Sequence, residues 1–374
     1  MTKVKPLKTI GETIIAYRRA KPESSCEEIT AFIKKNFPGC NTNPASVACT
    51  LGKASKRLKD PTLRPGRIER DRTEDEVQLE TFDINAAVSD TSKETEEEAR
   101  ERIMLRYRTM KRLAPKVIDQ RLPSLIISGP PGLSKSWTIN KAIEASGRLR
   151  HDGMLDVGGG GPMEVDGMKT NGWYDWIAGA CSEVGLYRAL WNMRKGGVLI
   201  FDDCDGIFRD EDSINLLKIA TDTTKERLVS WRKNATWLDD YGIDRTFDFK
   251  GTVIFLTNID FEKTILQDGK MTVHYRALID RAAYLCLTVR TARDFMIVLN
   301  DMAGGKNGFL HDPPYNMDDK QIKVLFDFIQ EHQRDFYNLS LRLVGQLAMQ
   351  MREDPDHWQS DARATKMKTL QLTE

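Results

Sequence analysis

The sequence predicts an α/β protein in which a parallel sheet flanked by helices carries a phosphate loop, with a small helical domain before it and further helices after it. Three observations predict this. Ser124-Leu-Ile-Ile-Ser128, Val198-Leu-Ile-Phe-Asp-Asp203 and Thr252-Val-Ile-Phe-Leu-Thr257 are short apolar runs of the kind that forms strands buried on both faces. The first leads directly into Gly129-Pro-Pro-Gly-Leu-Ser-Lys-Ser136, and the residues after that loop, Trp137 to Ser146, read as a helix. Strand, glycine-rich loop and helix in that order form the setting in which backbone amides wrap a phosphate. With 374 residues, 40% of them apolar, the chain is long enough for two or three domains with a substantial core.

The elements follow in order. Ile10, Thr13, Ile14 and Tyr17, then Ile29, Phe32 and Ile33, recur at helical spacing and predict two or three short helices within residues 1–60. Phe37-Pro-Gly-Cys-Asn-Thr-Asn-Pro44 breaks that pattern, and Pro44 starts a further helix through Ala48, Leu51 and Leu58, edged by Lys53, Lys56, Arg57 and Lys59. The arrangement is that of a helix-turn-helix. Charge is divided unevenly behind a formal net charge of +1: residues 1–70 hold 15 Lys and Arg against 6 Asp and Glu, and residues 71–101 hold 12 acidic against 3 basic residues. A basic helical block of this kind fits nucleic-acid phosphates, and equally a solvated face or a docking surface for a protein partner. The acidic stretch 61–101 has the composition of a flexible tether, although helical character returns from Glu96 towards Val117.

The loop departs from the phosphate-loop pattern G-x-x-x-x-G-K-[ST] at one place, Ser134, where the second glycine belongs. Gly129, Pro130, Pro131, Gly132, Leu133, Ser134, Lys135, Ser136 and Trp137 are the nucleotide-binding candidates. Lys135 reaches the β and γ oxygens, and Ser136 holds Mg²⁺. Asp202 and Asp203 end an apolar strand roughly 70 residues further on. Asp202 is the second candidate for Mg²⁺, Asp203 the candidate to polarise an attacking water, and Asp205 an alternative. Asn258 ends the third apolar run, either orienting that water or capping the strand.

Phosphate loop, acidic strand and Thr-Asn strand end together resemble the Walker A, Walker B and sensor 1 elements of the AAA+ ATPases, over about residues 122–351. The resemblance implies an ATP hydrolase that works with Mg²⁺ at interfaces between subunits of a ring, with six as the expected number. It implies a core over 102–290 and a helical lid with C-terminal tail over 291–374. Tyr275-Arg-Ala-Leu-Ile-Asp-Arg-Ala282 is similar to the family segment whose arginine enters the neighbouring subunit's nucleotide site, with Arg281 the first candidate and Arg276 the second. Ser340-Leu-Arg342 stands where the lid contributes its sensor 2 arginine, which makes Arg342 the lid candidate. The MoxR-type branch often has Ala where Ser134 stands, and a small side chain is accommodated there when the local φ is not positive.

Two further stretches bear on the substrate. Val157-Gly-Gly-Gly-Gly-Pro162 precedes Met168-Lys-Thr-Asn-Gly-Trp-Tyr-Asp-Trp176, in a region that faces the pore in AAA+ rings; Trp173, Tyr174 and Trp176 beside Lys169 suit stacking on single-stranded bases, gripping a polypeptide, or packing in the core. Arg227-Leu-Val-Ser-Trp-Arg232 and Thr246-Phe-Asp-Phe249 alternate as strands of a hairpin capped by residues 233–245, where Trp231, Arg232 and Lys233 are candidates to meet DNA or a partner. Two functions remain: a phage-type motor acting on DNA or a DNA-bound complex, and a MoxR-like protein-remodelling chaperone whose N-terminal domain is an adaptor. The six cysteines show no metal-ligand spacing with the five histidines, and no apolar run reaches the roughly 18 residues of a membrane span, so a cytoplasmic protein with reduced thiols and no membrane partner is expected.

Overall fold

A computed structural model describes residues 9–22, 24–58, 94–151, 163–165, 168–267, 269–306 and 308–369. The chain divides into two compact units, 1–76 and 77–374. The first contains α1 (Ile10–Ala20), α2 (Cys26–Asn36) and α3 (Pro44–Leu58). Their boundaries have local causes. Thr9 caps α1, Ser25 and Glu28 form a reciprocal capping box on α2, and the Asn43 side chain accepts from the Ser46 amide ahead of Pro44. Ile14, Ile29, Ile33 and Leu51, read at helical spacing, meet here and are buried together with Val47. The side chains of Lys56, Arg57 and Lys59 lie outside what is described.

The second unit begins its described part with α4 (Glu96–Ile118), β1 (Ser124–Ser128), α5 (Lys135–Ser146) and β2 (Leu149–Arg150). Next come β3 (Met163–Val165), β4 (Met168–Thr170), β5 (Trp173–Ala178), α6 (Glu183–Met193) and β6 (Val198–Asp202). A 3₁₀ turn at Asp205–Phe208 leads to α7 (Glu211–Ala220), then β7 (Leu228–Ser230), α8 (Thr236–Asp240), β8 (Thr246–Asp248) and β9 (Thr252–Thr257). The remainder is α9 (Phe261–Leu266), α10 (Thr272–Arg281), β10 (Ala283–Cys286), α11 (Ala292–Leu299), α12 (Asp319–Glu331), α13 (Leu341–Glu353) and α14 (Trp358–Lys366). Residues 96–101, acidic enough to read as tether, are the first turns of α4, capped by Thr95 and Glu98 and anchored by a fully buried Ala99.

Six strands form one parallel sheet in the order β10-β1-β9-β6-β5-β2. Its central strands are apolar on both faces, because helices cover both. Period-2 alternation sorts their side chains into two cores. Leu125, Ile127, Val198, Ile200, Ile254 and Leu256 join α4, α5 and the C-terminal helices on one face. Ile126, Leu199, Phe201, Val253 and Phe255 join α6, α7 and the β7–β8 hairpin on the other. α14 was not legible as a helix; Trp358 and Ala362 bury it against the first core.

This packing selects one of the readings left open for the β5 aromatics and alters the one given for the hairpin. Trp173, Tyr174 and Trp176 are residues of β5, a strand of the main sheet, half-buried against the two cores. The predicted hairpin is present as the antiparallel β7–β8 pair, but Trp231 is buried, its ring 5.4 Å from Tyr187 and 5.8 Å from Trp237. Arg232 and Lys233 are exposed, and Lys233 is ion-paired with Asp212 and Glu183. The four glycines of 158–161 lie outside the described residues. Among the described residues no helix is long and apolar enough to cross a membrane.

Candidate nucleotide-binding site

Parallel strands end on one edge of a sheet, where ligands of α/β proteins bind. β9 lies between β1 and β6, and their registers pair Ser128 with Thr257 and Asp202 with Leu256. The residues that follow, Gly129, Asn258 and Asp203, therefore emerge side by side. Local bonds fix each exit: Gly129 N–H donates to Thr257 O (3.2 Å), Asp203 N–H donates to Leu256 O (3.0 Å), and Ser128 Oγ donates to Ile259 O (2.5 Å).

Lys135, the first residue of α5, is buried. Its ammonium donates to Gly129 O (2.6 Å), Pro130 O (2.8 Å) and Asn258 Oδ1 (2.9 Å). Asn258 turns its other end to the acidic strand, with Nδ2 donating to Asp203 Oδ1 (2.9 Å). Next to this, Ser136 Oγ donates to Asp202 Oδ1 (2.9 Å). Lys135, Asn258 and Asp203 thus form one series of contacts, and Ser136 and Asp202 a second beside it. Asp205 is turned to a structural task, accepting from Thr257 Oγ1 at 2.5 Å.

The electrostatics follow from one buried cation among carboxylates. Burial lowers the Lys135 ammonium to about 8, opposed by Asp203, Asp202 and Asp205. Burial raises Asp202, helped by Asp203 and opposed by hydrogen bonds from Ser136 and Trp176. Burial also raises Asp205, against the bond from Thr257. Three carboxylates around one ammonium leave a local excess of negative charge. Hard oxygen donors from Ser136 and Asp202, set beside that excess, suit Mg²⁺.

The loop's conformation corrects one expectation. Ser134 sits at φ 64°, ψ 14°, in the left-handed region, and Gly132 is at φ 72°. The position thus has the backbone that glycine favours, and serine occupies it with strain. Asp203 is also left-handed, at φ 53°, which a short polar side chain tolerates better than most.

Among the described residues, no hydrogen bond or ion pair joins the arginine candidates to this cluster. Arg281 pairs with Asp222 (3.5 Å) and donates to Ala277 O (2.8 Å), so in the single subunit it is an ordinary ion-pair partner. Arg276, one and a half turns earlier in α10, is exposed. Arg342, in the first turn of α13, lines an open groove of about 420 Å³ with Lys366 and Tyr315. Trp137 is 56% exposed. Sequence reasoning missed the residues that brace the loop: Tyr107, which donates to Leu133 O (3.2 Å), and Leu341, whose N–H donates to Gly132 O (2.9 Å). Tyr107 lies in the stretch from Glu96 towards Val117 that the sequence marks only as helical.

A protein of Enterobacteria phage T4, described as an uncharacterized 36.7 kDa protein in the nrdC-mobD intergenic region, is 31% identical over 271 residues, covering 72% of this chain and 76% of its own length. The chain belongs to that protein's family. No family model matches it. Among solved structures, NtrX from Brucella abortus in complex with ATP aligns at TM-score 0.35 and 15% identity, over 92% of this chain and 68% of NtrX. The same protein in complex with ADP aligns at 0.34 and 11%, over 96% and 68%.

Proposed function

We propose that the protein is an ATPase of the AAA+ type, binding Mg²⁺-ATP at Gly129–Trp137 and acting on DNA or a DNA-bound complex. The chain of contacts Lys135–Asn258–Asp203 is the observation that carries the reading. It places a cation, an orienting amide and a carboxylate in series beside the loop. Lys135 binds the β and γ oxygens, and the loop amides complete the cradle. Ser136 and Asp202 would hold Mg²⁺, which supplies charge neutralisation at the phosphates when bound. Asn258 orients a water, Asp203 takes its proton as the oxygen attacks the γ-phosphorus, and the bond to the β-phosphate oxygen breaks to release ADP. Arg281 acts on a neighbouring subunit's nucleotide and Arg342 acts from the lid. The basic composition of residues 1–70 supports nucleic acid as the partner.

The test is ATPase rate with and without single- and double-stranded DNA. DNA stimulation is expected; a rate indifferent to both, with no salt-sensitive DNA binding by the full chain, would move the function to protein remodelling. Lys135→Ala should abolish ADP and ATP binding. Asp203→Asn should keep binding and lower turnover by about 10²- to 10⁴-fold, the usual scale for a general base; normal hydrolysis in that variant removes Asp203 from the role.

A further inference from the structure

The backbone of the phosphate loop is held by groups outside it. Lys135 Nζ takes the carbonyls of Gly129 and Pro130, the Leu341 N–H takes that of Gly132 (2.9 Å), and the Tyr107 hydroxyl takes that of Leu133 (3.2 Å). A trans peptide points its C=O and the following N–H in opposite directions. The Leu133 N–H is therefore turned away from α13, and the Ser134 N–H away from α4. We propose that Leu341, through its backbone N–H, and Tyr107, through its hydroxyl, are positioning residues that aim these two amides at the nucleotide's phosphates. The proposal rests on the nucleotide-binding reading of Gly129–Ser136.

Both donors are suited to the task. Leu341 opens α13, so its N–H has no partner inside the helix. Its capping residue, Ser340, spends its hydroxyl on the Leu343 amide (3.1 Å) and leaves the Leu341 donor to the loop. The approach is too close for a side chain at Gly132, where a Cβ would lie 2.5 Å from Ser340 Cβ. Tyr107 is buried, and burial keeps its hydroxyl protonated, so it remains a donor. It holds the peptide next along the chain, Leu133–Ser134. With both in place the two amides cannot rotate independently of α4 and α13. The C-terminal helices are then part of the phosphate site through a main-chain bond, and undocking α13 frees the Gly132–Leu133 peptide to turn.

Proline substitution isolates the first bond. Leu341 is the first helical residue, where proline is tolerated, and Ser340 before it is extended (φ −160°, ψ 158°), as a residue preceding proline prefers. In the full chain, ADP binding by titration calorimetry should be about five- to tenfold weaker in Leu341→Pro than in Leu341→Ala, the scale of one lost hydrogen bond. Both variants should melt within a few degrees of each other. Tyr107→Phe should weaken ADP binding by a similar factor, with kcat for ATP close to that of the unaltered protein and KM raised. If Leu341→Pro binds ADP as tightly as Leu341→Ala, and Tyr107→Phe as tightly as the unaltered protein, the positioning role is wrong. A large drop in melting temperature without a change in ADP affinity assigns the two residues to structure alone. If Lys135→Ala leaves ADP binding intact, the nucleotide reading itself fails and the proposal falls with it.

Discussion

Ser134 shows what a single residue costs at this site. Serine in the left-handed region is strained by roughly 1–2 kcal/mol, and glycine would relieve that while adding about 0.5–1 kcal/mol of unfolded-chain entropy. Ser134→Gly should therefore stabilise the protein by about 0.5–1 kcal/mol in urea unfolding. The hydroxyl contact to Met302 Sδ (3.6 Å) is too weak to reverse the sign. Equal or lower stability would mean that the contact outweighs the strain. Asp203 carries the same kind of backbone for a different reason. Its left-handed turn leaves the carboxylate exposed at the strand end, within reach of Asn258. The identity of both residues was readable in the sequence, but their backbone angles were not, since φ at a loop position is set by what the flanking strand and helix allow.

At the scale of elements, the hairpin before β9 separates pattern from packing. Alternation in residues 227–232 and 246–249 located β7 and β8, because a strand against a core shows its period directly. The same alternation does not say which large side chain faces inward. Trp231 faces in, packed on Tyr187, and among the described residues its indole N–H has no hydrogen-bond partner. Trp231→Phe should cost little, since it removes a buried unpaired donor, whereas Trp231→Ala should cost about 3–5 kcal/mol in chemical denaturation. A loss of DNA binding in Trp231→Phe without loss of stability would return this residue to the surface role first expected of it. The short α14 escaped notice because Trp358 and Ala362 are too few apolar positions to declare a period.

At the scale of the whole molecule, the proposed role of Arg281 is the feature to test. Arg281 is paired with Asp222 of the same chain, whereas Lys135 is bonded to Asn258. A role in turnover then requires a second copy of the chain. Turnover per subunit should rise with protein concentration, and Arg281→Ala should lose that rise while binding ADP normally. A concentration-independent rate, unchanged by Arg281→Ala, would leave Arg281 as an ion pair and reopen the choice of Arg276.

By itself the sequence determined the parallel α/β core, the loop at Gly129–Ser136 and the acids and amide at Asp202, Asp203 and Asn258. These are local signals, because a buried strand is a continuous apolar run and its last residues are its neighbours in the chain. Only the tertiary structure decided that β9 lies between β1 and β6, which places Asn258 between Lys135 and Asp203. It alone decided that Ser340 and Leu341 rest on Gly132 and that Tyr107 holds Leu133. Strand order and helix docking join residues some 26 to 209 positions apart, and no period or motif along a single chain records such separations.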